Sequence, residues 1–269
     1  MPTDPEPGPP VISLLSDFGL QDPFVGIMKG VMLRICPTAQ FVDLTHAVAP
    51  QDVAGGAFLL SESWRWFPRG TVHLAVVDPG VGSHRGALAV RIDGHTFVLP
   101  DNGLITDVWS SDCQVEAMVK ITERRFALPE VSRTFHGRDV FAPAAAHLAA
   151  GLPITALGPE LEHPRLLPSD HPKPDGDGLR GVVRHIDRFG NLITNIRDVA
   201  VDIWQAPDLD VQIGTHHVRG HVRCYADVAP GEIAIVINSF GLLEIAVNGG
   251  SAADRLRVTV GTPVRVFPG

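Results

Sequence analysis

The sequence predicts an α/β N-terminal domain, with a mostly parallel sheet between helices, followed by a smaller all-β, barrel-like C-terminal domain. Three observations predict it. Short apolar runs alternate with helical patterns as far as Gly151, the signature of strands joined by covering helices. Nine prolines and glycines then fall between Leu152 and Gly178, in a run with little periodicity. Beyond it come only short alternating runs separated by turn residues, as in small barrels and sandwiches. The expected division is a tail over 1–10, an α/β domain over 11–168, a linker over 169–178 and an all-β domain over 179–269.

Each element has a local reason. MPTDPEPGPP has neither a basic nor an apolar region, so a disordered tail is expected rather than a signal peptide. VISLLSD reads as a buried strand ending at Asp17. A helix follows, with Asp22 as cap, Pro23 in the first turn and an apolar face of Phe24, Ile27, Met28, Val31 and Ile35. FVDLTH is a second strand, and Gln51 to Phe67 reads as a helix closed by Pro68 and Gly70. His73 to Val77 is apolar enough to be a strand buried on both faces, and it stops at Asp78-Pro79-Gly80. ALAVRI and HTFVLP flank Asp93-Gly94, which favours a tight hairpin. A short helix near Leu104 to Trp109 and a strand over Val115 to Ile121 come next, and then a helix with Pro143 in its first turn and His136 just ahead of it. In the second domain LRGVVRHI, NLITNI, DLDVQI, EIAIVI, LLEIAV and LRVTV read as strands.

Composition excludes several functions. A net charge of −8 with no basic stripe argues against nucleic acid. No run of about 18 apolar residues exists to span a membrane. Cys36, Cys113 and Cys224 are scattered and lack any CxxC spacing, which suits reduced thiols in a cytoplasmic protein. There is no phosphate-cradling GK[ST] ending, no HExxH and no GxSxG. Neither a metal nor a cofactor is expected, because no histidine pair has ligand spacing, His216 and His217 being adjacent.

What remains is a set of polar groups at strand exits. Ligands of open α/β sheets bind outside the carboxyl ends of the strands, and Asp78 stands there with Gly80, Gly82 and, seven residues on, Arg85. From these residues alone, a carboxylate that merely braces a Pro-Gly turn explains the motif as well as chemistry does. Asp17 is a second carboxylate at a strand end, and Asp187-Arg188-Phe189-Gly190-Asn191 and Asn238-Ser239-Phe240-Gly241 are polar turns in the second domain.

Taken in order, SDFGLQDPFVGIMKG, VVDPGVGSHR, LPDNGL, TFHGRDVFAPAAAHLA, DRFGNLITNI and NSFGLLEIAVNGGSA resemble the S-adenosyl-L-methionine hydroxide adenosyltransferase family, hydrolytic relatives of the fluorinating and chlorinating enzymes. The resemblance covers nearly the whole chain from Val11. It implies hydrolysis of S-adenosyl-L-methionine at the ribose 5′ carbon, giving adenosine and L-methionine, by a homotrimer with active sites at subunit interfaces. Carried over by position, it implies that Asp78, Arg85 and His136 hold the attacking water. Asp17 would bind the ribose, and Asp187, Asn191, Tyr225 and Ser239 would contact adenine and methionine. Phe24 stands where a tyrosine is common, and Phe240 where the fluorinating relatives have an arginine. The absence of their long extra loop and the presence of the histidine favour hydrolysis over halide-dependent adenosyl transfer. A nucleoside- or S-adenosylmethionine-binding module without turnover is the alternative from another class.

Overall fold

The computed structural model describes residues 8–109, 112–198 and 208–269. The tail expected over 1–10 therefore lies largely outside the described residues. The chain forms two compact units, Met1–Leu167 and Pro168–Gly269.

In the first unit six strands, β1 Val11–Ser16, β2 Gln40–Thr45, β3 Val72–Val76, β4 Gly86–Ile92, β5 His95–Asp101 and β6 Val115–Lys120, form one sheet in the order β2-β1-β3-β5-β4-β6. β1 is parallel to β2 and β3, and β3 to β5, but β4 runs antiparallel to both β5 and β6. The sheet is therefore mixed. The cause is the Asp93-Gly94 turn, both of whose residues have positive φ, as a two-residue hairpin demands.

β3 is buried along its whole length, and successive residues face opposite ways. Val72, Leu74 and Val76 join a core with Met28 and Met32 of helix α1 (Phe24–Ile35) and Ala144 to Ala146 of helix α3 (Ala142–Ala149). Ala75 and Val77 join the opposite core with Leu60 of helix α2 (Val53–Ser61), Phe97 and Leu104.

Several expected elements differ in detail. Helix α1 begins after Pro23, with no side-chain cap from Asp22. Its buried residues are Val25, Met28 and Met32, while Phe24 and Ile27 are exposed. Helix α2 is shorter than its apolar pattern, because the Asp52 carboxylate caps it by accepting the Gly55 N–H and the chain tightens into a 3-10 turn at Trp64–Trp66. Leu104 to Val108 form turns rather than a helix. Ahead of α3 the chain makes a π-turn, Gly137–Phe141.

Among the described residues the second unit is wholly antiparallel. β7 Lys173–Asp175 pairs with β8 Gly178–Ile186, and the remaining strands are β9 Leu192–Arg197, β10 Leu209–Ile213, β11 His216–Arg219, β12 Ile233–Ile237, β13 Leu242–Val247 and β14 Pro263–Pro268, in the order β11-β10-β14-β8-β9-β13-β12. Near its ends the sheet curls round so that the Val222 N–H donates to the Ile235 carbonyl, giving a nearly closed barrel. Val183, Ile196, Val211, Leu243, Ile245 and Val266 fill it.

Two sequence readings are corrected here. Part of the stretch read as a linker is strand β7, its Asp175 paired with Arg265 at 2.5 Å; an edge strand tolerates the proline, Pro174, at its centre. LRVTV is not a strand. Ser251 caps a five-residue helix, Ala252–Leu256, that ends at Arg257 in the left-handed region, and the strand lies further on at Pro263–Pro268. Among the described residues no helix is long and apolar enough to cross a membrane.

Candidate active site

Asp78 lies two residues beyond β3 and continues the parity of Leu74 and Val76, which face α1 and α3. The chain then turns through Gly80 and Gly82. At Gly82, φ is +75° and a Cβ would come within 2.2 Å of the Arg133 carbonyl oxygen, so only glycine fits. That turn returns Arg85 to Asp78. Arg85 Nε donates to both carboxylate oxygens, at 2.8 and 3.0 Å, and Nη2 donates to Oδ2. The two side chains are only 7% and 5% exposed, and a fork of this kind is the strong geometry for a buried ion pair. Arg85 also lies over the Phe141 ring, 5.1 Å from its centre.

His136 enters from the residue before the π-turn. Arg85 Nη2 lies 2.8 Å from its Nδ1. A guanidinium can only donate, so Nδ1 is the acceptor and the proton of the neutral ring sits on Nε2. The ring is held below the ordinary imidazole range, first by burial and then by the Arg85 charge; Asp78, Asp139 and a backbone hydrogen bond at Ser132 pull the other way. The segment around it is braced by Asp139, which is fully buried, takes both Arg138 Nε and Nη2, and accepts the Ser132 N–H at 2.8 Å.

Asp78 and His136 line a cavity of about 400 Å³ whose other walls include Val76, Val81, Thr134 and three phenylalanines. Phe18, Phe24 and Phe135 meet edge to face, with ring centres 5.3 to 5.9 Å apart. The arrangement is an apolar hollow with a carboxylate and a neutral imidazole in its wall, both held by the Arg85 guanidinium. It can hold a water molecule by several polar groups and keep its surroundings dry.

Asp17 stands at the end of β1, and its Oδ2 accepts the Gln51 N–H at 2.8 Å; Gln51 has a φ of +67°. Its neighbour Ser16 is fully buried and pairs with His46 Nδ1 at 2.7 Å, whose Nε2 pairs with Asp43 at 3.1 Å, which in turn accepts from Lys29. Because the Gly19 N–H donates to the His46 carbonyl and the Phe18 N–H to Ser16 Oγ, this relay clamps the turn that carries Asp17.

The other four sequence candidates lie in the second unit. Asp187 and Asn191 are brought together at the β8–β9 turn: Asp187 Oδ1 accepts the N–H groups of Phe189 and Asn191, and Oδ2 accepts the Asn191 amide at 3.0 Å. Tyr225 opens a 3-10 turn, and its hydroxyl donates to Glu244 Oε1 at 2.7 Å. Burial and the negative charges of Glu244 and Asp187 push its phenol up. Ser239 is exposed in the β12–β13 turn, beside Asn238, whose amide donates to Glu244 Oε2 at 3.0 Å.

Sequence reasoning passed over Glu244 and the Ser16–His46–Asp43 relay. The signal for both was polar side chains inside otherwise apolar strands, LLEIAV, VISLLS and FVDLTH. Among the described residues no three His, Cys, Asp or Glu side chains are grouped to hold a metal ion.

Two family models match this chain, the SAM hydroxide adenosyltransferase N-terminal domain over residues 12–158 and its C-terminal domain over residues 181–265. The chain belongs to the SAM hydroxide adenosyltransferase family. Within it, the chain is 41% identical over 263 residues to the (R)-S-adenosyl-L-methionine hydrolase of Salinispora tropica, covering 97% of this chain and 98% of that protein. It is 42% identical over 262 residues to the enzyme of the same name from Thermus thermophilus, covering 95% and 99%. A fluorinase from an Actinoplanes species is more distant, 31% identical over 297 residues, with 97% and 99% covered. Among solved structures, a conserved protein from Thermotoga maritima superposes with a TM-score of 0.90 at 35% identity, over 95% of this chain and 99% of that one. The family match spans both units, so the cluster around Asp78 and the turns around Tyr225 belong to one kind of protein.

Proposed function

We propose that the chain hydrolyses S-adenosyl-L-methionine by attack of water on the ribose 5′ carbon, giving adenosine and L-methionine. The observation that carries the mechanism is the closed cluster of Asp78, Arg85 and His136, with Asp78 and His136 in the wall of an aromatic cavity. The water oxygen bonds to the 5′ carbon while the carbon–sulfur pair leaves with sulfur. The leaving group is a neutral thioether, so no acid is needed to release it. The difficulty lies in a weak nucleophile and its alignment, and holding the reacting atoms in line is worth about 7–11 kcal/mol in favourable cases.

Asp78 is the proton acceptor in this reading. His136 Nδ1 already receives a guanidinium N–H, and Nε2 carries the ring's proton, so the imidazole orients the water as a donor. The Asp78 carboxylate takes the water's proton as the new carbon–oxygen bond forms. Arg85 stabilises hydroxide character on the nucleophile. Asp17 accepts hydrogen bonds from the ribose hydroxyls, with one of its oxygens already fixed by Gln51. Asp187, Asn191, Tyr225 and Ser239 contact adenine and methionine, Tyr225 presenting its ring to the base.

The relatives' names specify the R configuration at sulfur, and we take the same epimer as the substrate. The working form is a homotrimer in the cytoplasm, each site combining the Asp78 cluster of one subunit with the Tyr225 region of a neighbour. Chromatography of products from a mixture of the two epimers should show adenosine and methionine, the R form consumed and the S form left. Accumulation of a 5′-halogenated nucleoside when chloride or fluoride is added, or no turnover at all, overturns this assignment. Mixing Asp78→Asn with Tyr225→Ala subunits should restore activity, because heterotrimers then contain an intact shared site; no recovery means that each chain works alone.

A further inference from the structure

Glu244 lies in the middle of β13, where Leu243 and Ile245 point into the barrel. Alternation turns Glu244 to the opposite face, yet the residue is only 3% exposed. A carboxylate in such a place is retained only where donors satisfy it. Two do: the Tyr225 hydroxyl at 2.7 Å on one oxygen and the Asn238 amide at 3.0 Å on the other. The Asn238 side chain cannot flip without loss, because its Oδ1 accepts the N–H groups of Phe240 and Leu242. The amide nitrogen therefore faces Glu244 and needs an acceptor there.

We infer that Glu244 is a positioning residue for substrate recognition, a buried fork that sets the Tyr225 ring and the Asn238–Gly241 turn carrying Ser239 in one fixed relation. The inference rests on the reading of Tyr225 and Ser239 as substrate contacts. Tyr225 is 43% exposed, so its ring presents an open surface while its hydroxyl is tethered underneath. Without the tether, two separate loops would each have to be ordered by the ligand, which weakens binding without touching the reacting atoms.

The test uses full-length Glu244→Gln, Glu244→Ala, Tyr225→Phe and Tyr225→Ala proteins. It measures kcat, KM for S-adenosylmethionine and thermal stability, together with the alkaline titration of the chain's single tyrosine. Glu244→Ala should raise KM about tenfold, in line with loss of a buried partner, with kcat within about twofold of the parent. Glu244→Gln, which keeps one acceptor, should fold normally, raise KM less, and let tyrosinate absorbance appear at a lower pH than in the parent. The doubly substituted Glu244→Gln, Tyr225→Phe protein should be no worse than the stronger single variant, as coupled partners require. A raised KM in Tyr225→Ala beside a parental KM in both Glu244 variants overturns the inference alone. An unchanged KM in Tyr225→Ala overturns the substrate-contact reading and the inference with it. Lower thermal stability with unchanged KM in Glu244→Gln and Glu244→Ala also overturns it, because that is what a purely structural carboxylate would do.

Discussion

In the first unit Asp78, Arg85 and His136 bind one another across 7 and 51 residues of sequence, side chain to side chain. In the second, Asp187 turns its carboxylate onto N–H groups two and four residues away, and Glu244 holds a hydroxyl and an amide. The first arrangement concentrates charge in a pocket wall; the second shapes turns and leaves an aromatic ring exposed. The difference teaches that polar residues in the two units should separate kinetically, the first acting on turnover and the second on binding.

Asp78→Asn tests that division most severely. It removes the proton acceptor and leaves Arg85 buried beside a neutral amide, so kcat should fall about a thousandfold, within the range of lost general-base catalysis. Calorimetry should show adenosine binding little altered; a comparable loss of adenosine affinity would erase the distinction. His136→Ala should lower kcat about a hundredfold. Its pH profile sharpens the point: burial and Arg85 keep the ring neutral below the ordinary value of 6.5, so the parent's acid limb should lie below that value. There protonation of Nδ1 sets it against the guanidinium. The limb should change shape in the variant.

Asp187→Ala should do the reverse, raising KM about tenfold as its turn loosens, with kcat nearly parental. The smallest effect at neutral pH belongs to a buried ring that chemistry does not use. His73, in β3, pairs with Ser13 at 2.6 Å and His95 at 3.1 Å. Burial, and then His95, hold its pKa down to about 3. A depressed folded value means that its contribution to stability is full above about 6.5 and is lost as pH falls from there towards 3. Melting curves across that window should therefore decline more in the parent than in His73→Gln, and the second unit's strands should keep their hydrogen-exchange protection longer than β3.

Much of this was legible in the chain itself. A strand ending in Asp78, glycines permitting a return and an arginine seven residues on describe a local loop, and the loop formed. His136 had no such local warrant: its role came from the likeness of whole motifs to a known family, and its contact with Arg85 spans two distant segments. The LRVTV stretch shows the opposite failure, where β-branched alternation was outweighed by the Ser251 cap and the short helix after it. The mixed sheet was half visible, since Asp93-Gly94 announced the hairpin that makes β4 antiparallel.

By itself the sequence determined where strands and helices alternate, where that alternation gives way to an all-β pattern, and which strand exits carry carboxylates. It could not determine the face on which Asp78 emerges, because a run that is apolar at every position has no alternation to reveal its parity. Packing decided that. With α1 and α3 against one side of β3 and α2 against the other, the even-numbered residues point towards the helix that follows His136. Tertiary structure likewise chose partners for Glu244, since a charge in an apolar strand announces only that donors must come from elsewhere.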